Sequence, residues 1–136
     1  MSNGPTPGNQ LPPLIIPKGS RVFYSTMVET WRKAFVQLKD STGKVIFTLE
    51  GMSPKDPFKA VSIGDGSFQA EDPSENYTLS IGTEGSAKGA TVLWNHDALV
   101  MGNTIYLQCY TYISEDAGDK DFNDCYVSLY WFHSVG

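Results

Sequence analysis

Histidine, cysteine and basic charge are scarce in this chain, and no apolar run is long. Each shortage removes a class of function. The only histidines are His96 and His133. Neither stands in a nucleophile-elbow or papain-type context, so both read as surface or core-edge residues. Lys and Arg number 10 against 15 Asp and Glu, a net charge of −5. A nucleic-acid partner needs a basic stripe to meet phosphates, and this balance offers none. No stretch approaches the roughly 18 apolar residues of a membrane span, so membrane insertion is not expected. The first residues lack a basic segment followed by an apolar core, so an ordinary secretory signal is not expected either. The expectation is a soluble protein, with cytoplasmic residence or release to the cell exterior left open.

Two cysteines, Cys109 and Cys125, leave room for one bridge at most. In a hairpin through the intervening loop, Cys125 falls opposite a residue near Ile113, about four residues from Cys109. Both therefore read as unbridged, buried small hydrophobes. The segment Gly82–Gly89 has glycines and a lysine but fails the spacing of a phosphate loop, and reads as a flexible connection.

What the chain does have is period-two alternation. Ile105, Leu107, Cys109, Thr111 and Ile113 alternate with Tyr106, Gln108, Tyr110 and Tyr112. Cys125, Val127, Leu129 and Trp131 alternate with Tyr126, Ser128, Tyr130 and Phe132. No segment shows a 3.6-residue period, and no internal repeat is visible. Further short strands are predicted at 14–16, 21–28, 34–39, 44–49, 58–63, 77–81 and 90–94, with turns at Asp40–Gly43 and Gly64–Gly66. The expected fold is all-β, an antiparallel sandwich of about nine strands in one domain over residues 14–136. Residues 1–13, with Pro5, Pro7, Pro12 and Pro13, are expected to form a flexible or polyproline-like arm.

Between the two clearest strands lies Ser114-Glu115-Asp116-Ala117-Gly118-Asp119-Lys120-Asp121-Phe122-Asn123-Asp124, in which five of eleven side chains are carboxylates. Two carboxylates about 4 Å apart repel by roughly 4 kcal/mol at an effective dielectric near 20. A hard divalent cation relieves that repulsion, and calcium takes carboxylate, amide and carbonyl oxygens of the kind offered here. Asp119, Asp121 and Asn123 alternate, so an extended chain points them the same way. The EF-hand pattern fails: with Asp119 as its first position, the sixth is Asp124 instead of Gly and the twelfth is Tyr130 instead of Glu. A solvated acidic loop is the plain alternative. A glycosidase pair is another, needing two carboxylates across a scissile bond, but a cation would occupy the same groups.

Residues 114–124, followed by a strand holding Trp131 and a chain ending at Gly136, resemble the bacterial two-calcium fucose/mannose-binding lectins, the fucose-binding lectin II family. Pro17 to Gln37 also reads like that family's first strands. The resemblance implies a non-catalytic Greek-key sandwich that binds two calcium ions per subunit, with sugar hydroxyls completing their coordination. By motif position it implies Glu115, Asp119, Asp121, Asn123 and Asp124 as calcium ligands, the central aspartates being shared. Asp116 falls where the family places a sugar-hydroxyl acceptor, beside Asp119, Asp121 and Asp124. A backbone carbonyl in an early loop falls at Glu29, and the following Thr30 and Trp31 fall where sugar choice is tuned. Trp31 departs in bulk from the family pattern, which leaves three readings open: a ring stacked on an apolar sugar face, a ring that blocks the pocket, or an ordinary partly exposed loop aromatic. The terminal carboxylate of Gly136 would reach a calcium in a neighbouring subunit, although the tail after Trp131 is two residues longer than in the family. The expected ligands are glycans or monosaccharides, and the expected assembly is a homodimer or tetramer. A calcium-stabilised module without a sugar site is the alternative.

Overall fold

Period-two alternation becomes two facing sheets. The computed structural model describes residues 2–85, 90–115 and 122–133. Among the described residues there is no helix. The strands are β1 (Ser2–Pro7), β2 (Leu14–Ile15), β3 (Arg21–Val28), β4 (Ala34–Lys39) and β5 (Val45–Gly51), then β6 (Val61–Gln69), β7 (Asn76–Thr83), β8 (Thr91–Met101), β9 (Thr104–Glu115) and β10 (Cys125–Phe132). Six form an antiparallel sheet in the order β1-β8-β9-β10-β3-β6, and four form a second in the order β2-β7-β4-β5.

One face of each sheet carries the core. Val22, Val28, Val92, Tyr112, Val127, Leu129 and Trp131 of the larger sheet meet Leu14, Val36, Leu38, Tyr77, Leu79 and Ile81 of the smaller, all almost fully buried. Burying an aliphatic or aromatic side chain contributes about 1.5–3 kcal/mol, so these positions dominate the favourable side of folding. On β9 Tyr110 and Tyr112 face inward, and Tyr110 stacks between His96 at 4.1 Å and Trp131 at 6.0 Å. Burial pushes the Tyr112 hydroxyl well above its ordinary pKa, so it stays neutral.

The opposite face of the larger sheet is apolar too. Met27 pairs with Tyr126, and Phe23 pairs with Tyr130, stacking at 5.5 Å. Met27, Tyr126, Phe132 and Leu99 remain 38–64% exposed.

Several expectations change. The ten described strands agree with the sandwich of about nine that the sequence predicts, but the details differ in places. The N-terminal segment is not a loose arm over its length, because Ser2–Pro7 pairs antiparallel with β8. Gly8 then threads between β7 and β8: its amide donates to Ala90 O at 2.6 Å, and its carbonyl accepts from Ile81 N at 3.0 Å. A Cβ at Gly8 would meet Ile81 O at 1.8 Å, so only glycine fits this crossing.

The glycines of Gly64–Gly66 do not make a turn; they lie inside β6. A Cβ on Gly64 would press on the Leu49 side chain at 2.6 Å, so the glycine there admits a neighbour. Strand β8 runs to Met101, well past the expected Trp94, and turns through Gly102–Asn103 into β9. The two cysteines are not bridged, as expected: Cys125 pairs with Ser114 and Cys109 with Tyr130. Cys125 is buried, whereas Cys109 is only half-buried.

Candidate carbohydrate-binding site

The order β9-β10-β3 brings three strand ends together. Cys125 at the start of β10 pairs on one side with Ser114 of β9 and on the other with Val28 of β3. One residue earlier, Asp124 donates its amide to Ser114 O at 3.1 Å. Its carbonyl accepts from the amide of Glu29, also at 3.1 Å. Both flanks of the acidic loop and the loop after β3 therefore meet at one end of the sheet.

Two carboxylates are buried at that end: Glu115 is 5% exposed and Asp124 9%. Burying ionised carboxylates is costly unless partners or a cation compensate. Asn123 is exposed beside them and Glu29 is half-buried. Phe122 adopts φ +55°, a left-handed conformation uncommon for a bulky residue. Such strain, of about 1–3 kcal/mol, persists where the surroundings over-determine the backbone.

The loop after β3 is pinned from the side. Thr30 is buried; its carbonyl accepts from Ser53 N at 2.8 Å, and its amide donates to Ser53 Oγ at 3.1 Å. Its hydroxyl accepts from Arg32 N at 3.0 Å. Trp31, between these anchors, projects its ring 66% into solvent and meets Phe58 edge-to-face, with centroids 4.9 Å apart. Burial of Thr30 leaves Trp31 as the more accessible of the two residues.

Of the residues singled out in sequence, Glu115, Asn123, Asp124, Glu29, Thr30 and Trp31 gather at this end of the sheet. Asp116, Asp119, Asp121 and Gly136 lie outside the described residues. Among the described residues no three His, Cys, Asp or Glu come together as a metal cluster. Ser53 and Phe58 were not singled out; they arrive from the connection between β5 and β6, and no local pattern marks them. The histidines sit elsewhere: His96 Nε2 contacts Gln108 Oε1 at 3.0 Å, and Gln108 contacts His133 at 2.8 Å.

This sandwich is the fold of several bacterial lectins. It superposes on the Ralstonia solanacearum high-affinity mannose-binding lectin with a TM-score of 0.70 at 17% identity, covering 93% of this chain and 99% of that one. The Chromobacterium violaceum lectin CV2L, solved in complex with alpha-methyl-fucoside, gives 0.69 at 20% identity, over 93% and 99%. The C-terminal domain of the BC2L-C lectin from Burkholderia cenocepacia gives 0.70 at 14% identity, over 92% and 97%. No curated protein matches the chain in sequence. The family model for fucose-binding lectin II (PA-IIL) matches residues 14–133. The chain belongs to that family of lectins, which are non-enzymatic carbohydrate-binding proteins.

Proposed function

We propose that the protein is a calcium-dependent lectin for fucose- or mannose-type sugars, bound at the end of the sheet where β9, β10 and β3 meet. The observation that carries this reading is the convergence of buried Glu115 and Asp124 with the Glu29 backbone. The donor set fits calcium, since carboxylate, amide and carbonyl oxygens are the ligands a hard cation takes. Glu115, Asp119, Asp121, Asn123 and Asp124 would hold two ions, with the Glu29 carbonyl and the carboxylate of the partner's Gly136 completing the set. The ions would supply direct coordination of adjacent sugar hydroxyls.

The chain's own groups do the rest. Asp116 accepts a hydrogen bond from a sugar hydroxyl, Asp119, Asp121 and Asp124 share in that contact, and Thr30 and Trp31 border the pocket. Thr30 is held by Ser53, so the border is set before ligand arrives. A second copy would cover the apolar outer face of the larger sheet, where Phe23, Met27, Tyr126 and Phe132 are exposed. The solved neighbours, one named for mannose binding and one solved with a fucoside, support the sugar class.

Titration calorimetry with fucose, mannose and galactose tests this, with calcium and after chelation. Heat with fucose or mannose that disappears on chelation is expected. No heat with any of the three, while calcium remains bound, overturns the sugar site and leaves a calcium-stabilised module.

A further inference from the structure

Trp31 is a large aromatic with 66% of its surface exposed, and Phe58 beside it is 40% exposed. They come from separate loops and meet edge-to-face. Met52, 45% exposed, adjoins Ser53, the residue that pins Thr30. The pair is thus a firm apolar shoulder and not a frayed tip. Ordering an aromatic in advance lowers the entropy cost of binding, as two-torsion side chains in recognition loops do.

Its position limits what it can take. Glu29 is bonded to Asp124, and Trp31 is two residues on. Successive Cα atoms are about 3.8 Å apart, so the Trp31 backbone lies within about 8 Å of that of Glu29. The distance is on the scale of one or two sugar units. A pyranose presents a C–H face on one side and hydroxyls around its rim. An aromatic ring carries negative charge on its face and attracts such C–H groups while removing apolar area from water.

We propose that Trp31 and Phe58 form an aromatic platform for the pyranose adjoining the sugar held at the acidic loop, so that the natural ligand is an oligosaccharide. This rests on the monosaccharide site proposed above and extends it by one unit.

The test is titration calorimetry on the calcium-loaded full chain. Methyl α-mannoside is compared with the mannobiose linkage isomers, and methyl α-fucoside with fucosyl-galactose. The readout is the ratio of disaccharide to methyl-glycoside affinity. In the wild type at least one disaccharide is expected to bind about tenfold more tightly. Trp31→Ala should bring that ratio close to one, and Trp31→Tyr should restore most of it. Phe58→Ala should lower the ratio while leaving methyl-glycoside affinity within about twofold.

A wild-type ratio near one for every disaccharide overturns the platform, as does a ratio unchanged in Trp31→Ala and Phe58→Ala. In either case methyl-glycoside binding persists and the monosaccharide site stands. If the methyl glycosides themselves fail to bind, the monosaccharide site fails and the platform with it.

Discussion

The amide of Glu29 donates to the carbonyl of Asp124 at 3.1 Å, joining the loop after β3 to the last residue of the acidic loop. Asp124 in turn donates to Ser114, so a movement of the acidic loop is felt on both neighbouring strands. Binding at the loop should therefore be coupled to the stability of the sheet. Three strands share the consequence.

Calcium should raise the thermal midpoint. A ligand at a hundredfold excess over Kd stabilises by about 2.7 kcal/mol. For a domain of this size that corresponds to a rise of about 10 °C. Scanning calorimetry with calcium and with EDTA measures it, and Asp121→Ala in calcium should behave like the wild type in EDTA. Identical midpoints in all conditions would refute calcium binding.

Ser53 acts through Thr30. Its hydroxyl accepts from Thr30 N and also contacts Val28 O at 3.5 Å. Ser53→Ala removes one hydrogen bond to the Thr30 amide, at about 0.5–1.5 kcal/mol. Sugar affinity should fall severalfold while calcium affinity stays close to wild type, because no calcium ligand is removed. Faster amide exchange at Thr30 would tie the loss to positioning. Equal sugar affinity in the variant would show that the Thr30 border does not touch ligand.

Acid should weaken the turns on the far side of the smaller sheet. Ser41 donates its amide to Asp72 at 2.7 Å, and with further bonds from the Ser41 hydroxyl and Ser74 N holds that carboxyl below its ordinary range. Asp40 is lowered likewise, first by the Thr42 hydroxyl and then by the Lys44 and Thr42 amides. A carboxyl with a depressed folded pKa contributes stability that is complete above its unfolded value of about 3.9 and is lost as pH falls through the folded value. Urea midpoints in EDTA should therefore drop more steeply below about pH 4 for the wild type than for Asp72→Asn. Parallel curves would remove Asp72 from the account.

The two strands most visible in the sequence, at residues 105–113 and 125–132, alternate in period two and lie in β9 and β10. Residues 21–28, 34–39 and 125–132 form strands with the expected bounds. Asn95-His96-Asp97 breaks the apolar alternation and hides the far half of β8 in the sequence, whereas in the sheet these residues pair with Thr111, Tyr110 and Cys109. The glycines of β6 read as a turn because local sequence does not reveal the side chains of Leu49 and Tyr24 that press on them. At the site, the flanks of the acidic loop and the Glu29–Trp31 segment were legible from a contiguous motif and an alignment of early strands. Ser53 and Phe58 were not, since the sheet crossing that delivers them has no signature in their neighbours.

Strand β1 forms one border of the six-stranded sheet, and two of its six residues are Pro5 and Pro7. Proline has no N–H, and residues two apart direct their backbone groups to the same side. Proline in a paired strand is tolerated where its missing N–H falls on the unpaired side, so a border strand with two prolines is a poor template for an incoming strand. Growth of the sheet past β1 into ribbons of stacked molecules is disfavoured.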